Sequence, residues 1–321
     1  VRRVLLARLA QGASVVALVV TLGFVLVRLA PGDPFAASME HESLSPDLRE
    51  RMRVLHGFDR PIMEQYGLYL RNLARGELGW SFSRGQPVAH ALRDAVPPTV
   101  LLMSSALLLG IVGGVLIGSW QGWRGDTRAS RGVGQLTLVM LSVPEFVLAL
   151  LLVMGPALAW GLFPVTGMRS DFAPGGVRGV IDLLHHLALP ASTLAVVIAA
   201  VVARHQRRAM LAVVDTEFVR AARAKGVAES RVLWRHALRN ALTPVLTLTG
   251  VLFPALIGGA VLVERVFAWP GMGRAVVEAV SRRDYPLVSA AVLVSALAVV
   301  LGTVVADLAI AWADPRRRRA P

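Results

Sequence analysis

An all-α integral membrane protein, with six transmembrane helices and both termini cytoplasmic, is the fold this sequence predicts. Three observations carry it. The 321 residues are 55% hydrophobic and only 17% charged, against about 25% charged in soluble domains. Six apolar stretches are long enough to cross about 30 Å of hydrocarbon as helix. The basic residues collect at the ends of those stretches, mostly on one side of the bundle.

The first span covers residues 9–29, preceded by Arg2, Arg3 and Arg8 and closed by Pro31-Gly32-Asp33-Pro34, with Arg28 placed to snorkel at its far end. Its apolar part is longer than the core of a signal peptide and no small-x-small site precedes the turn, so a retained span is expected. The second, 97–120, carries Gly110, Gly113, Gly114 and Gly118, which suit close helix–helix approach. The third, 133–160, is interrupted by Pro144-Glu145 and Pro156, and 187–203, 243–263 and 286–313 complete the set.

Charge orients the bundle. Arg124, Arg128 and Arg131 face one Asp126 between spans two and three, and segment 204–242 holds nine basic residues against Asp215, Glu217 and Glu229. With the Arg316–Arg319 tail these fall on the side of Arg2 and Arg3, whereas 161–186 and 264–285 are nearly neutral. That asymmetry makes the basic side cytoplasmic. A net charge of +13 alone would suggest nucleic acid, but its placement at span ends points to a lipid bilayer and to no nucleic-acid partner. The chain has no cysteine, which excludes thiolate metal sites and a cysteine nucleophile within it.

Two segments lie outside the hydrocarbon. In 32–96, Ile62, Tyr66, Tyr69, Leu70 and Leu73 recur at helical spacing and predict an extracytoplasmic helical cap, either a fastening between spans one and two or part of a docking surface. In 204–242, Asp215 or Thr216 can cap a helix reaching Lys225, with Phe218, Ala221 and Ala222 on one face and Gly226 as its stop. A second amphipathic helix follows, with Leu233, Ala237, Leu238 and Ala241 inward and Arg231, Arg235 and Arg239 outward. A short alanine-lined helix of this kind can seat in another protein's groove. The same residues also read as a solvated basic loop.

At this segment a resemblance emerges. Glu217-Phe-Val-Arg-Ala-Ala-Arg-Ala-Lys-Gly226, followed by Arg235-His-Ala-Leu-Arg-Asn-Ala-Leu-Thr-Pro244, resembles the EAA loop of binding-protein-dependent ABC importer permeases, more narrowly the dipeptide/oligopeptide/nickel family. Pro31-Gly-Asp-Pro34, Gly76-Glu-Leu-Gly79 with Ser81, Phe163-Pro-Val-Thr-Gly167, Leu187-Ala-Leu-Pro190, Val266-Phe-Ala-Trp-Pro-Gly-Met-Gly273 and Arg283-Asp-Tyr-Pro286 are similar to that family's pattern. Ala221, Ala222 and Gly226 fall on the EAA-x3-G positions, while Arg220 stands where the general motif has Glu, the nearest acid being Glu217. The motif's terminal proline, expected near Arg239, is found at Pro244. Both departures resemble the peptide branch.

The resemblance implies a type I ABC importer permease bundle: residues 1–93 as first helix plus cap, 94–314 as the transmembrane domain with coupling loop 204–242, and 315–321 as a basic tail. It implies a transport subunit rather than an enzyme, in a bacterial inner membrane. A second permease, two cytoplasmic ATPases holding ATP and Mg, and an extracytoplasmic solute-binding protein would complete the importer, with no cofactor on this chain. In agreement, no G-x4-G-K-[ST] loop occurs in the sequence. Glu217, Arg220, Ala221, Ala222, Lys225 and Gly226 are the expected coupling residues.

Pro144, Glu145 and Asp307 are candidate pathway or kink residues, since an ionisable group inside a membrane is a functional candidate by default. Either acid could instead serve a proton relay, which keeps an ion-coupled secondary transporter as the alternative. An intramembrane enzyme has no H-E-x-x-H or G-x-S-x-G to stand on. His185-His186 are expected at the outer interface, without a nearby carboxylate to make a metal site.

Overall fold

The computed structural model describes residues 2–29, 60–81, 83–172 and 175–313; the PGDP turn and the basic tail lie outside these, as does the side chain of Asp307. The described residues are helical almost throughout. Among them four helices are long and apolar enough to cross a membrane: α1 (Arg2–Leu29), α3 (Val88–Arg124), α6 (Gly176–Val214) and α12 (Tyr285–Ala313). The third expected span proves to be two helices. α4 (Arg128–Ser142) and α5 (Glu145–Leu152), continued by the π-helical Val153–Ala159, meet at 102°. α10 (Thr243–Val266) stands where the fifth span is expected.

The break between α4 and α5 follows from Pro144. A residue before proline is driven out of the α region, and Val143 is extended at φ −82°, ψ 122°. The Pro144 carbonyl then starts the next helix by accepting the amides of Val147 and Leu148 at 3.0 and 3.1 Å. Pro156, which has no N–H to give, falls inside the π-helical turn that ends this segment.

Two helices run further than their apolar runs suggest. α3 has 37 residues against the expected 97–120, and α6 has 39 against 187–203. The extension of α3 before Pro97 buries Val88, Ala91, Leu92 and Ala95 against Met272, Ala275 and Leu287, and α6 runs on at its far end through the arginine-rich 204–214 stretch. α3 and α6 run in parallel at close range along Gly110, Gly114, Gly118 and Gly122. A Cβ on these glycines would come within 2.6 Å of Ile198, 2.5 Å of Val202, 2.7 Å of Gln206 and 2.5 Å of Met210 respectively. Glycine at every fourth position makes a groove into which α6 fits. Gly113, expected to share that role, is off the seam, its Cβ position 3.8 Å from Ala199.

Outside the spans, α2 (Ile62–Ala74) is the expected cap helix, with a different inward face. Tyr66 and Tyr69 pack on Phe24 of α1 with ring centroids 5.1 and 5.6 Å apart, and the Tyr66 hydroxyl lies 2.8 Å from Thr21 Oγ1. Ile62 and Leu70 face away, and Gln65 takes the buried position. A short hairpin follows, β1 (Trp80–Ser81) paired antiparallel with β2 (Gln86–Pro87). α11 (Met272–Ser281) packs beside α3 and α12. At the opposite end of the bundle α7 (Glu217–Ala224), α8 (Glu229–Arg231), the π-helical Val232–Ala237 and α9 (Leu238–Ala241) connect α6 to α10.

His185 and His186 correct one expectation, because a carboxylate does lie nearby. Asp182, one turn earlier, has Oδ1 3.5 Å from His186 Nδ1 and is also held by Ser170, while His185 Nε2 reaches the Leu162 carbonyl at 2.7 Å. Among the described residues no group of three or more candidate ligands could hold a metal ion.

Candidate functional site

The α7–α9 unit has a core of its own. Val219 and Ala222 of α7 close on Met210 of α6 and on Val232, Ala237 and Ala241, with Trp123, Val227 and Leu233 packed around them. The inward face of α7 is thus Val219 and Ala222, one turn apart. Phe218 and Ala221 point outward with Glu217, Arg220 and Lys225, contrary to the single face Phe218–Ala221–Ala222 expected from sequence. The reason is angular: at about 100° per residue, position 218 is on the flank of a helix whose seam runs through 219 and 222. In the second stretch Val232 joins Ala237 and Ala241 as the buried set, with Leu233 and Leu238 only partly covered.

α7 is stopped as its sequence requires. Gly226 has φ +73°, its amide donates to the Arg223 carbonyl at 2.9 Å, and the Val227 amide donates to the Ala222 carbonyl at 3.2 Å. This is the Schellman arrangement, which wants glycine at the left-handed position. The start differs from expectation: Thr216 is the N-cap, yet its hydroxyl donates backward to the Val213 carbonyl at 2.6 Å instead of capping α7. Arg223 lies 4.8 Å over the Trp123 ring and pairs with Glu229 at 3.0 Å, tying α7 to α3 and to the following turn. The outer surface carries arginines throughout, and Ser230, Arg231, Trp234, Arg235 and Arg239 line a cleft of about 530 Å³. A short helix set on its own apolar base, with an exposed Phe218–Ala221 ridge among cations, can dock into an acidic-rimmed groove.

At the other end of the bundle two carboxylates are fully buried, and sequence reasoning passed over both as site residues. Glu264 accepts hydrogen bonds from Thr99 Oγ1 at 2.5 Å and from the Arg274 amide at 3.0 Å. Thr99 in turn accepts the Met272 amide at 2.7 Å. The carboxylate therefore caps the first turn of α11, whose free amides attract negative charge. Gly271 explains itself here, because a Cβ at that position would overlap the Glu264 carboxyl group. Trp269, also fully buried, donates its Nε1–H to the Pro98 carbonyl at 2.9 Å.

Asp284 is the second. It accepts from Ser81 Oγ at 2.6 Å, from Ser83 Oγ at 2.7 Å and from the Ser83 amide at 3.0 Å, fastening the hairpin to the start of α12. The signal that could have found both acids was present in the sequence: each sits within or beside a motif that was noticed only as a pattern.

The residues singled out inside the membrane lie on different elements. Glu145 is the first residue of α5, half-buried at the 102° elbow beside Pro144 and without a hydrogen bond to any described residue. Asp307 lies far along α12, on a different element.

Comparison with known proteins bears on this arrangement. The family described as "Binding-protein-dependent transport system inner membrane component" matches residues 110–319. The oligopeptide transport system permease protein AppB of Bacillus subtilis (strain 168) is 36% identical over 299 residues, 92% of each chain. A putative peptide transport system permease of Brucella abortus (strain 2308) is 40% identical over 98% of each chain, and the di/tripeptide permease DppB of Pseudomonas aeruginosa 37% over 94% of each. Among solved structures, the inward-facing MetNI methionine ABC transporter is similar with TM-score 0.57 at 16% identity, covering 70% of this chain and 96% of that one, a likeness of fold.

Proposed function

Because the chain belongs to the family of binding-protein-dependent transport system inner membrane components, we propose that it forms the translocation pathway of an ATP-driven importer for di- or oligopeptides. The observation that carries the substrate class is identity of 36–40% along almost the whole chain to permeases named for peptides. The relatives lend nothing to an ion-coupled carrier, and Glu145 and Asp307 sit on separate elements. Their proposed part is local: Pro144 and Glu145 form the elbow, and Asp307 belongs to the last span.

In this reading the bundle crosses a bacterial inner membrane six times, the bent α4–α5 pair and α10 counting as spans, with both termini and the α7–α9 unit cytoplasmic. The arginine distribution supports that orientation. A second permease pairs with it, two ATPases bind ATP and Mg, a solute-binding protein delivers substrate outside, and this chain itself holds no cofactor. α7 is the coupling helix. Ala221, Arg220 and Lys225 meet the ATPase, Ala222 seats α7 on its base, Gly226 sets its end, and Glu217 begins it. ATP drives transport only by favouring one arrangement of the bundle over the other.

A chain without cysteine makes the test clean. A single Cys at the exposed Ala221, crosslinked in native membranes with a short thiol reagent, should capture a protein carrying a G-x4-G-K-[ST] loop. A Cys at Gly67, on the exposed side of α2, should not. Transport that persists with no such partner captured would overturn the coupling role of α7.

A further inference from the structure

A second basic site lies beside the α7 unit, and the proposed function does not use it. Where α4 begins and α6 leaves the bundle, Arg131, Arg204, Arg207 and Arg208 line one cavity of about 300 Å³, with Thr137 and Leu138 on its wall. Arg204 and Arg207 are partly buried while Arg131 and Arg208 reach solvent, so an anion entering the cavity meets several guanidinium donors at once. Among the described residues their one acidic partner is Asp126, which reaches Arg131 at 3.6 Å with both side chains largely exposed. Arg204, Arg207 and Arg208 have no ion pair among the described residues, and Arg207 Nε is buried without an acceptor. A buried guanidinium donor left open calls for an oxygen.

The frame around the cavity is firm. Gln121 Nε2 donates to the Ser130 carbonyl at 3.1 Å while Ser130 Oγ donates to the Gln121 carbonyl at 3.2 Å, which locks the start of α4 to α3 just before Arg131. Gly122 presses on Met210, which fixes α6 one turn past Arg207. The helices that carry these arginines are therefore held at a fixed spacing.

We propose that this cavity binds the phosphate of an anionic phospholipid headgroup from the inner leaflet. The ligand chemistry is a phosphodiester oxygen shared by the Arg207 and Arg204 guanidinium groups. A lipid fits better than a free anion because exposed apolar side chains share the cavity wall: Leu138 of α4 and Leu211 of α6 both line it and are 47% and 42% exposed. Basic pockets between spans on the cytoplasmic side are where anionic headgroups find charge and hydrocarbon together. The inference rests on the cytoplasmic placement of this end proposed above.

The test uses the full chain in nanodiscs and by native mass spectrometry from detergent, with phosphatidylglycerol, phosphatidylcholine and inorganic phosphate as probes. The wild type should retain phosphatidylglycerol and exclude phosphatidylcholine. R204Q and R207Q should each weaken that retention about fivefold, while R231Q/R235Q on the α8 cleft leaves it unchanged. Equal retention in R207Q and wild type overturns the site, and so does a response to inorganic phosphate that phosphatidylglycerol fails to reproduce. A Cys at the exposed Gln135, labelled from the cytoplasmic face only, keeps the topology separate; labelling from outside would refute the orientation, whatever the lipid result.

Discussion

Ser81 and Asp284 are 203 positions apart in the chain and share a buried hydrogen bond of 2.6 Å. One belongs to the hairpin that precedes α3 and the other to the turn that starts α12, so the two ends of the bundle's sequence close on each other at this point. Asp284 also takes the hydroxyl and amide of Ser83 and, through its other oxygen, the Leu287 amide at 3.3 Å, which makes it the acceptor of four donors.

Removing that acceptor should loosen the hairpin. Asp284→Ala leaves those donors without their partner, at a cost of about 2–4 kcal/mol. Asp284→Asn keeps one oxygen and should fall between it and wild type. Thermal unfolding of the purified chain would measure the first effect. Faster tryptic cleavage at Arg84 would show that the opening is local, and unchanged cleavage would refute the fastening.

Thr99 makes a sharper test, since its hydroxyl both donates to Glu264 and accepts from the Met272 amide. Thr99→Val keeps the shape and loses both bonds, with an expected cost of about 1–3 kcal/mol. Thr99→Ser should restore most of it. If valine and serine variants unfold at the same temperature, the Thr99–Glu264 bridge contributes nothing to the fold.

The glycine seam predicts a contrast between neighbours. Gly114→Ala puts a methyl 2.5 Å from the Val202 Cβ and 2.8 Å from the Ala199 carbonyl, whereas Gly113→Ala meets nothing closer than 3.8 Å. The first should destabilise by about 1–3 kcal/mol through overpacking, and the second should be neutral or slightly stabilising through helix propensity. Melting curves of the two variants side by side decide it; matching curves would mean that the helices are not in contact there.

On α7, position and docking can be separated. Gly226→Ala forces a side chain onto φ +73° and should cost about 1 kcal/mol. Phe218 is 44% exposed, so Phe218→Asp should leave stability within about 0.5 kcal/mol of wild type. It should nonetheless weaken ATPase co-purification about tenfold or more, as loss of an aromatic anchor does. Undiminished co-purification would take Phe218 out of the interface.

How much of this was legible in advance depended on the range of the interactions. Four of the expected spans, the helix at Ile62–Ala74, the Gly226 stop and the break at Pro144 were readable because each depends on residues a turn or two apart. The direction of α7's faces was not. Its buried side is decided by Met210, Val232 and Ala237, which lie outside it, and a helix of eight residues gives too short a period to fix a seam from composition alone. Glu264 and Asp284 were missed for the same reason: a carboxylate followed by glycine or aromatic residues looks like an ordinary turn until the distant Thr99 or Ser81 is seen to fill it. Glu145 and Asp307 drew attention because they interrupt apolar runs; the structure sets Glu145 beside Pro144 at the elbow and puts Asp307 on a different helix.

Parallel packing of α3 on α6 has a mechanical consequence. At about 1.5 Å per residue, the 39 residues of α6 make a rod of about 58 Å, and only Asp215 and Thr216 separate it from α7. Thr216 is itself stapled to the end of that rod by its backward bond to Val213. A displacement of α7 therefore meets almost no slack, and it travels as the swing of a lever whose two arms are bolted together along the glycine seam. A lever that cannot shorten must pivot, and the place along it where a backbone hydrogen bond is missing is Pro190, inside α6 itself.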